Sequence, residues 1–338
     1  MSDLTPGTDG GPRLTLSLLT WPFLAPDRRL RVPWRVTLLL AGTVLAYVAA
    51  SGIVVVTAVC LGYEPGGPSN LADSLFHRLP YWPLLVHVVA LPPLILLVWC
   101  FRRYLDRRSW RSLGFEAGPP ALREAGVGLV LGSAAILLSI APLALSGAVE
   151  NAALGGSGVP RASGPTDLLI VLGCLVGAAF GEELVARAYI LSNVRESLGS
   201  GAGVLISAAI FAGLHMENPH VSALPTINIL LAGLLLGTVF VLTGRLWMAW
   251  TLHFSWNACQ GMLLGLPVSG LTVPSLFRLR LVGSDLVTGG AFGLEGSLWN
   301  TVAASVILSV VVFIGVRRRR TVAGPGPSES SACSRETV

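Results

Sequence analysis

Long apolar runs broken by short charged stretches set the pattern of this chain. Residues 36–63, 79–101, 126–149, 197–216, 221–244, 246–277 and 296–316 contain no Asp, Glu, Lys or Arg. Residues 168–194 form a further run, apolar except for Glu182, Glu183 and Arg187. A bilayer core about 30 Å thick requires ~20 apolar residues per spanning helix. The pattern therefore predicts about eight transmembrane helices, an all-α polytopic membrane bundle. The run 246–277 is too long for one helix, and Pro267 and Gly270 predict that its helix ends near residue 266. The segments 1–35 and 317–338, polar and rich in Gly, Pro and Ser, read as disordered tails.

Composition agrees with lipid as the main solvent. Charged residues make up 12% of the 338 positions and hydrophobic ones 53%, whereas soluble domains carry roughly 25% charge. This excludes a disordered chain and argues against an ordinary soluble enzyme. The net charge of +5 does not point to nucleic acid, because the basic residues flank apolar runs instead of forming a stripe. All of them are Arg, which a GC-rich coding bias explains. With an even number of spans and both ends inside, 18 Arg fall on the cytoplasmic side and 4 outside, which favours that topology. Arg317–Arg320 is then a stop-transfer flank. The five cysteines show no CxxC or metal-ligand spacing.

Charges inside an apolar run are costly, roughly 2.5–3.5 kcal/mol each on an insertion scale, and usually mark function. Glu183 and Arg187 lie at i and i+4, so one helix face pairs them. Glu182 points about 100° away and is left for chemistry. Phe211-xxx-His215 and His253-xxx-Asn257 place two further polar pairs at one-turn spacing in otherwise apolar spans. A carboxylate and two imidazoles can activate water, with Asn and His donating to an oxyanion. Glu182, His215 and His253 equally match a zinc ligand set with an open position. No HExxH helix occurs. Taken alone, an ion-paired packing element explains Glu182–Arg187 about as well as a catalytic one does.

Glu182-Glu183-xxx-Arg187, Phe211-xxx-His215 and His253-xxx-Asn257, in this order and each in its own run, resemble the three motifs of the CPBP family. These are the CAAX proteases and bacteriocin-processing enzymes of the ABI domain, including type II CAAX prenyl endopeptidases. The resemblance covers roughly 165–268, preceded by three helices (36–164) and followed by an extracytoplasmic loop and a last helix (269–316). It implies an intramembrane endopeptidase with its site in a cavity between helices. Glu182 would be the water-activating carboxylate, His215 its partner, and His253 and Asn257 the oxyanion donors, with Glu183, Arg187 and Phe211 in support. It also implies a multi-pass protein of the cell membrane acting on peptide or membrane-protein substrates, with zinc and a metal-independent mechanism both open.

Two other functions compete with this one: a catalytically silent scaffold or immunity protein, and a small proton-relay transporter. A scaffold has no need of the full motif set. A transporter predicts internal repeats, whereas the polar residues cluster in spans four to seven. His87, in the second run with no polar companion, reads as a packing residue or one making a local hydrogen bond. Glu217, His77 and His220 read as interfacial, Pro225 as a helix-packing residue in the sixth span in preference to a kink, and Trp34, Trp82, Trp110, Trp247 and Trp299 as interface anchors. One tension remains. If the fifth helix starts near Gly201 on the cytoplasmic side, His215 lies about 20 Å along the membrane normal at 1.5 Å per residue. Glu182, placed near the cytoplasmic end of its span, is then too far away unless tilt or an earlier helix start closes the gap.

Overall fold

The computed structural model describes residues 24, 25, 27, 29–61, 82–151 and 164–323. The expected arm before residue 24, His77 and the tail beyond 323 lie outside them. The long helices are α1 (Val32–Cys60), α2 (Trp82–Cys100), α3 (Pro119–Leu145), α4 (Pro165–Glu183), α5 (Ser192–Leu214), α6 (Ala223–Thr243) and α7 (Trp247–Asn257). A four-residue helix, α8 (Asp285–Thr288), precedes the last one, α9 (Leu298–Ala323). Among the described residues a two-stranded antiparallel ribbon, β1 (Val149–Asn151) on β2 (Leu279–Leu281), accompanies the helices. Proline opens α1, α3 and α4, where its missing N–H costs nothing and its fixed φ suits the first turn.

Six helical stretches are long and apolar enough to cross a membrane. Exposed apolar residues such as Leu45, Val48, Ile53 and Val56 on α1 form the lipid-facing surface that such a bundle requires. The chain is a polytopic membrane protein. The fourth and fifth of the eight expected helices are not separate candidates but one helical stretch, Pro165–Leu214. The seventh is short, because eleven α-helical residues pass into a π-helix at Ala258–Leu263. The expected end near residue 266 falls just beyond it. Pro225 lies in the first turn of α6 and so introduces no mid-helix kink.

The continuous stretch resolves the depth problem. After Glu183 the chain runs through a buried π-helix, Leu184–Leu191, directly into α5. It bends at Gly199, whose φ of 85° lies in the left-handed region open to glycine. The helix start expected near Gly201 lies two residues beyond this bend. Beyond it α5 returns along the π-helix, where Ser207 donates to the Ala186 carbonyl at 2.7 Å. Glu182 precedes Gly199 by 17 residues and His215 follows it by 16, so both reach the same depth. Glu182 is thus deep in the bundle and not near a membrane face.

Two packing features fix the helices that carry the polar residues. On α3, Gly128 and Gly132 form a small-xxx-small pair facing α7. A methyl group at either would run into α7, meeting Thr251 Oγ1 and the Met248 carbonyl, or Ser255 Oγ and the Leu252 carbonyl. The absence of side chains lets the backbones approach and sets the position of His253 and Asn257. At the end of the bundle where α1 begins and α2 ends, a buried network holds the charge. Arg35 donates to Asp106 and Asn193, both at 2.6 Å. Arg102 donates to Asp106 at 3.1 Å and to Glu196 at 2.9 Å. Arg35, Arg102 and Glu196, all at ends of apolar runs, therefore meet on one face.

Candidate active site

Glu182 stands at the end of α4 and faces three imidazoles. Its Oε2 lies 3.6 Å from His215 Nε2 at the end of α5 and 3.9 Å from His253 Nε2 on α7. Its Oε1 lies 3.7 Å from His87 Nε2 on α2. Oε2 is buried and has no hydrogen-bond partner in the protein. Each imidazole commits its other nitrogen. His215 Nδ1 is 2.8 Å from the Phe211 carbonyl and His87 Nδ1 is 3.0 Å from the Pro83 carbonyl. A carbonyl only accepts, so Nδ1 carries a proton and the Nε2 side of each ring is turned toward Glu182.

Glu183 has a different role. Its Oε1 accepts from Arg187 Nη1 at 2.8 Å and from His253 Nδ1 at 3.0 Å. Both Glu183 and Arg187 are fully buried. The guanidinium lies 4.2 Å from the centroid of the Phe211 ring, a cation–π contact. Phe211 in turn stacks obliquely on His215, with centroids 4.5 Å apart, and meets His253 edge-on at 6.0 Å. The i, i+4 pair expected from the sequence therefore does form. It orients the His253 ring while Phe211 holds both histidines.

A partly open cavity begins beside these residues. Phe211, His215, His253 and Asn257 line it, with Asn228, Ser269, Glu295 and Asn300 on other walls. Among the described residues the Asn257 amide has no hydrogen-bond partner, so its donors and acceptor are available to a guest. All seven residues singled out in the sequence therefore converge: Glu182, Glu183, Arg187, Phe211, His215, His253 and Asn257. Among the described residues no three His, Cys, Asp or Glu side chains are drawn to metal-ligand spacing.

Three features escaped sequence reasoning. His87 is not an isolated packing residue, since it faces Glu182 and its ring meets Tyr47 edge-on at 5.0 Å. The polar residues are accordingly not confined to spans four to seven. Glu295, in the loop before α9, is buried at the cavity wall. It accepts from Trp256 Nε1 at 3.1 Å and from the Ser269 N–H and Oγ–H, each at 2.7 Å. Burial pushes its carboxyl above the ordinary carboxylate range, and the bonds from Ser269 oppose that shift. Trp110 and Trp247, expected as interface anchors, belong to an aromatic cluster around Phe115.

The family model for type II CAAX prenyl endopeptidase Rce1-like proteins matches residues 164–259. Residues 164–259 form an Rce1-like domain. That span holds every one of the seven converging residues, from Glu182 to Asn257. The family description names an endopeptidase, which agrees with the resemblance drawn from the three motifs. A comparison with individual curated proteins finds no match. His87, Glu295 and Asn300 lie outside the Rce1-like domain, on the helices and loop that complete the cavity around it.

Proposed function

We propose that the protein is an intramembrane endopeptidase that hydrolyses peptide bonds of peptide or membrane-protein substrates within the cavity. The observation that carries this reading is the convergence of His215 and His253 Nε2 on an unpartnered carboxylate oxygen of Glu182. A water seated there gives its proton to Glu182 while its oxygen attacks the scissile carbonyl carbon. His215 Nε2 orients the water by a hydrogen bond. The carbonyl oxygen becomes an oxyanion, which Asn257 Nδ2 and the doubly protonated form of His253 stabilise by donation. Glu182 then returns its proton to the leaving nitrogen as the carbon–nitrogen bond breaks. With His253 so charged, Glu182, Glu183, Arg187 and His253 sum to zero, which lowers the cost of burying them.

Glu182 Oε2 and the Nε2 atoms of His215 and His253 are also the right donors for zinc. When bound, zinc would polarise the carbonyl and acidify water. Elemental analysis and chelator sensitivity of the purified chain distinguish that variant from the metal-independent one. The Arg distribution further supports a place in the cell membrane with both termini cytoplasmic.

The test is hydrolysis by the purified full chain in liposomes, with apolar peptides in water enriched in oxygen-18. A new carboxyl terminus carrying one heavy oxygen is expected. Intact peptides across a broad library would instead leave a scaffold role as the account of the fold.

A further inference from the structure

A buried carboxyl, that of Glu295, stands on the wall of the cavity. Glu295 receives three hydrogen bonds, all from neutral donors: Trp256, and Ser269 twice. No Arg or His among the described residues lies within ion-pair distance of it. Ser269 meets it with a φ of 48°, an uncommon conformation for a residue other than glycine. Beside it stands Asn300, 2% exposed. The Asn300 amide nitrogen donates to the Glu295 carbonyl oxygen at 3.1 Å. This fixes the side chain's orientation, because the flipped amide would set oxygen against oxygen. Its Oδ1 is therefore an acceptor, and it has no partner. Both residues line the same cavity as His215, His253 and Asn257.

We propose that Glu295 and Asn300 form a subsite for a positively charged nitrogen of the substrate. A buried carboxylate and an unsatisfied amide oxygen both present acceptors at the cavity wall. The guest that satisfies both is an ammonium or guanidinium group. Ile229, Leu235, Leu236 and Leu252 supply apolar wall between this point and the histidines. A lysine or arginine stem lies along such a wall while its head reaches the acceptors. The same nitrogen chemistry is offered by a free amino terminus. This subsite rests on the reading of the cavity as one that admits a peptide.

The experiment uses the full chain in liposomes and one apolar peptide series. A single position carries Arg, Lys, citrulline or norleucine, and each peptide is made with a free or acetylated amino terminus. The wild type is expected to cleave the peptide bearing the charged nitrogen about tenfold faster than its neutral counterpart. Glu295→Gln should reduce that ratio to near one. Whether the preference follows the side chain or the terminus identifies the source of the nitrogen. A wild-type ratio near one overturns the proposal whether or not the variant folds, and so does a ratio that Glu295→Gln retains. If no peptide is cleaved, it is the protease reading that fails, and anisotropy of the same labelled peptides decides the subsite. Tighter binding of the charged peptide, lost in Glu295→Gln, upholds it; equal binding of charged and neutral peptides overturns it.

Discussion

Glu183 Oε1 accepts the Nδ1 proton of His253 across 3.0 Å, while also accepting from Arg187. One buried oxygen thus ties α4, the π-helix and α7 together. Glu182 next to it is left facing the imidazoles. The division of labour between adjacent carboxylates follows from helix geometry, since neighbouring residues point about 100° apart.

This predicts that Glu183→Ala is destabilising beyond its effect on chemistry. Arg187 would be left buried without its counter-charge, at a cost of about 3–5 kcal/mol. Adding Arg187→Met to Glu183→Ala should restore most of that stability but not cleavage, because His253 stays unoriented. Thermal unfolding in detergent and peptide cleavage, measured on both variants, check the two halves separately.

Gly132 and Gly126 provide a matched pair on α3. A methyl group at Gly132 meets Ser255 Oγ and the Leu252 carbonyl, whereas at Gly126 it meets open space. Gly132→Ala should push α7 outward and lower cleavage at least tenfold, in line with the sensitivity of catalysis to small misplacements. Gly126→Ala should leave both melting temperature and cleavage within error of wild type. Equal effects at the two sites would contradict the role given to close packing.

His87 touches Glu182 through the oxygen that His215 and His253 do not share. His87→Ala should therefore slow cleavage by about tenfold, or ~1.4 kcal/mol, a smaller loss than that of His215→Ala. The comparison of kcat values at saturating peptide checks the order.

Glu295 gives a pH signature. Its folded carboxyl holds a proton to higher pH than the unfolded one, because burial disfavours the charge. Such a group weakens the fold as pH rises. The penalty is complete above its raised folded pKa and absent below the ordinary value of 4.5. Acidification through that window should raise the melting temperature of wild type relative to Glu295→Gln. A difference that stays flat, or reverses, would contradict the environment described.

What was legible in the sequence follows the same physics. Glu182, Glu183 and Arg187 stand out because charge within an apolar run is expensive and rare. His215, His253 and Asn257 stand out by their one-turn spacing to Phe211 and to each other. Helix existence was legible from run length. The charged pair Arg195 and Glu196 divides the two runs close to the bend at Gly199, but the continuation of helix through that pair up to the bend was not legible. His87, Glu295 and Asn300 were invisible as a site because each is alone in its own segment. Only packing brings His87 to Glu182, and only the loop after α7 carries Glu295 to Trp256. Gly132 reads as one small residue among many until α7 is laid against it.

The central claim is that Glu182 moves the proton of the attacking water. Glu182→Gln keeps the shape of the side chain and removes its basicity. Single-turnover cleavage of one apolar peptide by liposome-reconstituted wild type and Glu182→Gln tests the claim most directly. The account predicts a loss of about 10²–10⁴-fold in the variant with peptide binding retained. Cleavage by Glu182→Gln at the wild-type rate would contradict it.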